Sequence, residues 1–218
     1  HYAKYNIVNF AMGNTGTQMG GWFRKEIKSA NDLKGLKFRV GGFAGKVLER
    51  MGVVPQNIPA GEIYQSLEKG TIDAAEWIGP YDDLKLGLNK VAPFYYYPGW
   101  WEGGPQLTLM VNQKAYDALS PENKAIVEAA SAVAHIEIQA RYDAHNPGAL
   151  KQLAAQKTKV LPFPKDMMDV AFKHSQDVYA ELSAKNPNWK KVYDDYSKFR
   201  AEQNWWFRFG EARFDSFM

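Results

Sequence analysis

The 218-residue chain contains no cysteine. Disulfides, thiolate metal sites and cysteine nucleophiles are therefore excluded, while the compartment is left open. No apolar run approaches the ~18 residues that a membrane span needs. No charge of one sign accumulates: 27 Lys and Arg stand against 24 Asp and Glu, spread along the chain. The net charge of +3 thus leaves no basic arm or patch for a nucleic acid, and no such partner is expected. Histidine is scarce, and His1, His135, His145 and His174 lack zinc-ligand spacing. There is no internal repeat, no low-complexity tract and no visible signal peptide. The chain opens on His1 and not on Met, which reads as a removed leader or a piece of a longer protein.

What is present is a globular composition, 45% hydrophobic and 23% charged, in a length that supports one large domain or two small ones. Aromatic residues reach 14%, with seven Trp, which suits a ligand cleft, a helix interface or a large core.

The local patterns alternate at short spacing. Residues 1–12 read as a strand and residues 13–21 as a glycine-rich loop. A strand at residues 36–40 leads through Gly41 and Gly42 to a short helix at residues 44–51, then to a brief strand at Val53 and Val54. Residues 61–69 carry an apolar stripe at Ile63, Tyr64 and Leu67 and are closed by Gly70, a natural helix stop. Residues 71–75 follow as a short buried strand, which delivers Glu76 and Trp77 to its carboxyl end. In open α/β sheets that end is where ligands bind. This alternation predicts an α/β layer.

Further on, residues 82–89 predict a short helix or turn, and residues 95–105 an irregular stretch because of their Pro and Gly. Residues 106–111 read as a strand. Ser120 is a good N-cap with Pro121 at the first helical position. The helix it opens is expected to kink or break at Asn146-Pro147-Gly148. Residues 160–164 read as an extended link and residues 166–184 as a helix. From Pro187 a stripe of Trp189, Val192, Tyr193, Tyr196, Phe199, Trp206, Phe207, Phe214 and Phe217 keeps near-helical spacing. So much apolar surface needs cover, from its own domain or from a partner subunit.

Several motifs are partial. The loop at residues 13–21 lacks the Gly-Lys-Ser/Thr ending of a phosphate loop, and residues 41–45 lack the dinucleotide spacing. Ser66-Leu67-Glu68-Lys69 has no companion acyl-transferase motif. Arg39 ends a strand, where its guanidinium is either a surface group or a planar fork for a carboxylate. Glu76 and Glu102 are two carboxylates that spacing alone does not bring together.

Residues 32–40 (Asp-Leu-Lys-Gly-Leu-Lys-Phe-Arg-Val) and 59–76, from Pro59 to Glu76, resemble the substrate-binding proteins of tripartite ATP-independent periplasmic (TRAP) transporters. Residues 13–23, with Gln18, and 97–105, with Trp100-Trp101-Glu102, are similar to the subgroup that binds 2-oxo acids or lactate with a metal ion. The resemblance covers essentially the whole chain. It implies an α/β, two-domain periplasmic-binding-protein clamshell with a long C-terminal helix, the N-terminal part of the first domain being absent. Residues 1–10 would be a connecting strand and 11–100 the second domain. Residues 101–185 would be the remainder of the first domain with a long linking helix, and 186–218 the C-terminal helix, exchanged in a homodimer.

The resemblance also implies a site. Arg39, Gln18, Trp77 and Glu76 would hold a small monocarboxylate, with its carboxylate on Arg39. One metal ion, sodium or calcium, would take the Gln18 side chain, Glu76, the Trp77 carbonyl and Glu102. Two carboxylates and an amide oxygen are hard ligands suited to those ions. The implied role is a periplasmic receptor, not an enzyme, serving the membrane subunits of a TRAP transporter. Its solute would be a 2-oxo acid such as pyruvate. The alternatives are a lactate or 2-hydroxy acid receptor, a secreted hydrolase using Glu76 and Glu102 as acid and base, and a metal-stapled structural fragment.

Overall fold

The computed structural model describes residues 1–218, which fall into two compact units, His1–Met168 and Asp169–Met218. In chain order the first unit holds β1 (Ile7–Asn14), β2 (Gly21–Phe23), β3 (Lys37–Arg39), α1 (Gly42–Arg50), β4 (Val54–Gln56), α2 (Ile63–Glu68) and β5 (Ala74–Ala75). It continues with α3 (Pro80–Leu86), β6 (Phe94–Tyr97), β7 (Gln106–Asn112), α4 (Gln113–Asp117), α5 (Pro121–Ala155) and β8 (Lys159–Pro162). The helix α6 (Lys165–Lys185) begins in this unit. The mixed α/β character expected from the alternating pattern is present.

Six strands form one sheet in the order β4-β3-β5-β2-β6-β8. β3 runs parallel to β4 and β5, and β6 parallel to β8, while β2 is antiparallel to both its neighbours. Period-2 alternation sends successive side chains to opposite faces. Trp22 and Tyr95, both fully buried, stack at 3.9 Å between ring centroids, within a cluster that includes Ile63, Leu67, Leu88 and Leu153. Phe23 and Tyr96 meet Phe38 and Phe163 in a second aromatic cluster, which Trp101 joins through Phe38 and Phe163. Each such buried ring contributes roughly 1.5–3 kcal/mol. A separate two-stranded sheet pairs β1 antiparallel with β7, and α5 packs on β1 and α3.

Four expectations need correction. Residues 94–97 are strand β6, although residues 95–105 read as irregular. Four consecutive aromatics suit a pleated surface, and Pro98 and Gly99 end the strand without disqualifying it. Residues 160–164 are not a plain link, since β8 adds to the large sheet beside β6. This sheet therefore takes in a strand from within residues 101–185. The strand before Glu76 shrinks to Ala74–Ala75, because the Asp73 side chain itself accepts the Lys37 N–H at 3.0 Å. The helix α5 runs unbroken through Pro147. Proline removes one donor there, but both flanks are pinned. The Tyr142 hydroxyl donates to Asp82 at 2.6 Å, the Asn146 side chain accepts the Tyr81 N–H at 3.0 Å, and Leu153 is buried.

The second unit holds most of α6, then α7 (Pro187–Phe209) and α8 (Glu211–Phe217). Asn186 caps α7, accepting the N–H groups of Asn188 and Trp189. Trp189 stacks on Tyr193, which packs against Tyr179. The long C-terminal helix expected from Pro187 onward is present as α7, and Gly210, at φ −85°, ψ −105°, separates it from the short α8. No residue of α7 or α8 is buried, and Trp205, Trp206 and Phe209 are 60–67% exposed. No helix of the chain is long and apolar enough to cross a membrane.

Candidate functional site

Backbone hydrogen bonds bring four strand ends together. Glu76 N–H donates to Arg39 O (3.1 Å), Met19 N–H to Ile78 O (3.1 Å), Gly20 N–H to Tyr96 O (2.7 Å) and Gly99 N–H to Gln18 O (3.0 Å). Glycine permits the closest of these approaches. A Cβ on Gly99 would lie 2.7 Å from Gln18 O, and one on Gly21, at φ +98°, would lie 2.7 Å from Ala75 O.

Arg39 sits at the centre. Its Nη1 donates to Glu76 Oε1 at 2.5 Å and to Glu76 O at 2.7 Å, and its Nε to Ile58 O at 3.3 Å. The guanidinium carbon lies 5.2 Å from the centre of the Trp77 ring, a cation–π arrangement that further fixes its plane. Arg39, Glu76 and Glu102 line one cavity of about 260 Å³ together with Val40, Gly41 and Trp101. The glycines after β3, Gly41 and Gly42, thus border a cavity.

Charge is tuned throughout. Burial pushes the Glu76 carboxyl up to about 7, Glu102 and Asp83 add to the rise, and Arg39 opposes it. Burial also raises Glu102, again against Arg39. Two carboxylates on one small cavity resist joint ionisation, which a cation between them would relieve.

Gln18 and Trp77 do not line this cavity. Gln18 is buried, its side-chain nitrogen donates to the Thr15 hydroxyl at 3.0 Å, and its Oε1 has no protein partner. A buried acceptor left unpaired costs about 1–3 kcal/mol, which a cation at Oε1 would relieve. The Trp77 carbonyl accepts nothing from the protein, although Glu76 O and Ile78 O on either side are both taken. An orphaned amide oxygen, an unpaired carbonyl and two carboxylates are the donor set that sodium or calcium prefers. The residues present fit such an ion.

Sequence reasoning passed over Asp83. It is 1% exposed, and its Oδ2 accepts the Trp22 indole N–H (2.9 Å) and the Tyr95 hydroxyl (2.7 Å) while Oδ1 accepts the Ile78 N–H (3.2 Å). Burial raises its carboxyl to about 6 against these three hydrogen bonds. Only long-range contacts reveal it, since its partners lie up to 61 positions away.

A family model for bacterial extracellular solute-binding protein family 7, also called DctP, matches residues 1–186. The chain belongs to this family. Members of family 7 are extracytoplasmic solute-binding proteins of TRAP transporters, so a solute-binding role stands over a hydrolytic one. A monocarboxylate 2-oxoacid-binding periplasmic protein of Nostoc sp. (strain PCC 7120) is 49% identical over 216 residues, covering 99% of this chain and 59% of its own length. A TRAP transporter solute-binding protein from Bordetella bronchiseptica RB50, a mixed-occupancy dimer with calcium and picolinate in one site, is 56% identical with a TM-score of 0.96, covering 99% of this chain and 64% of that one. A counterpart from Pseudoalteromonas atlantica T6c, with sodium and pyruvate bound, is 40% identical with a TM-score of 0.94 and covers 99% of this chain and 66% of that one. The 218-residue chain thus spans less than two thirds of the length of these relatives.

Proposed function

We propose that the chain is the greater part of a periplasmic TRAP receptor for a small monocarboxylate, a 2-oxo acid such as pyruvate, held together with one sodium or calcium ion. The observation that carries this reading is the meeting of Arg39, Glu76 and Glu102 on one cavity, with Gln18 Oε1 buried and unpaired close by in the backbone network.

In this reading Arg39 binds the solute's carboxylate with the part of its fork that Glu76 and Ile58 leave unused, and the Trp77 ring holds that fork in plane. Gln18 Oε1, Glu76, the Trp77 carbonyl and Glu102 hold the cation. A cation supplies positive charge to the solute's carboxylate and adjacent oxo oxygen, which selects acids with both groups. The relatives bound to pyruvate or picolinate with sodium or calcium support the same solute class and ions.

The partners follow. Membrane subunits of a TRAP transporter would receive the loaded protein. A second copy of the chain would cover the aromatic surface of α7 and α8, none of whose residues is buried. Sedimentation of the chain with and without residues 187–218 tests this. A dimer that becomes a monomer on removal supports it, and a monomer in both cases counts against it. Calorimetric titration of the chain with pyruvate, in sodium, in calcium and in chelator, tests the solute reading. Saturable binding that depends on a cation is expected, and heat-free titrations in all three would overturn it.

A further inference from the structure

The peptide joining Trp77 to Ile78 carries both the unpaired carbonyl and the N–H that Asp83 accepts at 3.2 Å. Carbonyl and N–H of one peptide are a single resonance unit, so a negative charge drawn onto the N–H pushes electron density onto the oxygen. The neighbouring groups fix this unit in space. Arg39 Nη1 takes Glu76 O, Met19 N–H takes Ile78 O, and the Asp83 N–H takes Gly79 O at 2.9 Å. Of three consecutive carbonyls, only that of Trp77 is left without a donor.

Asp83 meets only donors, an indole, a phenol and an amide, which favour its ionised form against the burial that disfavours it. A buried carboxylate is expensive to maintain, and a neutral side chain would brace a turn at lower cost. The stacked pair Trp22 and Tyr95, which supplies two of the donors, sits in the hydrophobic core of the first unit and does not face the cavity lined by Arg39.

The geometry points to Asp83 as a positioning residue for the cation, acting through the Trp77–Ile78 peptide to make the Trp77 carbonyl a stronger and correctly aimed ligand. The inference rests on the proposed cation site. Outer carboxylates that orient and enrich metal ligands are a general device, and here the relay would be a backbone amide. Because Coulomb attraction scales with ionic charge, Asp83 would favour calcium over sodium.

The test uses the 218-residue chain with pyruvate at saturation. In wild type labelled with 15N-isoleucine, the Ile78 amide proton should move downfield as calcium is added. In Asp83→Asn, calcium affinity should fall about tenfold and sodium affinity about threefold, because the lost interaction is halved for the monovalent ion. Equal losses for both ions would make Asp83 a mere structural brace and overturn the inference, as would unchanged affinities. A stationary Ile78 resonance in a chain that binds calcium would overturn it too, and that readout decides the matter if Asp83→Asn does not fold. Failure of the wild-type chain to bind either ion would instead remove the cation site itself, and the inference with it.

Discussion

One nitrogen of Arg39, Nη1, donates at once to the side chain and to the main-chain carbonyl of Glu76, at 2.5 and 2.7 Å. The residue proposed for the solute is therefore tied to a residue proposed for the cation, and the two sites share a wall. Arg39→Ala should weaken pyruvate binding by at least about tenfold, the scale of one charged hydrogen bond, while cation binding persists. Arg39→Lys should rescue little, because a single ammonium does not reproduce the planar fork that reaches Glu76 and Ile58. Isothermal titration of both variants checks this, and unchanged pyruvate affinity would remove Arg39 from the solute site.

Glu76 carries a pH signature. Its carboxyl lies at about 7 in the folded chain against an ordinary 4.5. The folded state holds that proton more tightly than the unfolded state, so this group favours folding at low pH and ceases to as pH rises through about 7. The groups facing it are Arg39, which lowers its value, and Glu102 and Asp83, which raise it. Without added cation, the melting temperature should rise on acidification from pH 8 toward 6, and Glu76→Gln should flatten that rise. An identical pH profile for wild type and Glu76→Gln would contradict the assignment.

Gln18 separates stability from binding. Its buried Oε1 has no partner, a cost of about 1–3 kcal/mol that Gln18→Met removes. The variant should melt no lower than wild type in chelator, yet gain less from added cation. Scanning calorimetry in both conditions measures the two effects separately, and a full cation response in the variant would exclude Gln18 as a ligand.

Glu102 faces the same cavity from the loop after β6. Glu102→Gln should weaken cation and pyruvate together, since each is proposed to hold the other. Pyruvate affinity that is lost while calcium affinity stays at the wild-type value would contradict a bridged pair.

Much of this arrangement was legible in the sequence because its signals are local. Ser120 and Pro121 open α5 as read, and Gly70 and the stripe of Ile63 and Leu67 frame α2. Arg39 and Glu76 stand out at strand ends, but it is the resemblance to TRAP substrate-binding proteins, not their places, that joins them with Glu102. What pairs across the chain was not legible. β8 reads as a link because its partner β6, over 60 positions earlier, itself reads as irregular. Asp83 reads as one of two acids in a helix start, and only its contacts with Trp22, Tyr95 and Ile78 distinguish it from Asp82. Pro147 reads as a break because tertiary pins on α5 have no local trace.

The most direct test of a cation-bridged 2-oxo acid site is a thermal-shift titration of the dialysed chain with pyruvate and longer 2-oxo acids, each in sodium, in calcium and in chelator. A ligand at a hundred times its dissociation constant adds about 2.7 kcal/mol of stability. A shift that requires both acid and cation, and disappears in chelator, is the predicted result. A shift with acid alone, equal in chelator and in calcium, would contradict it.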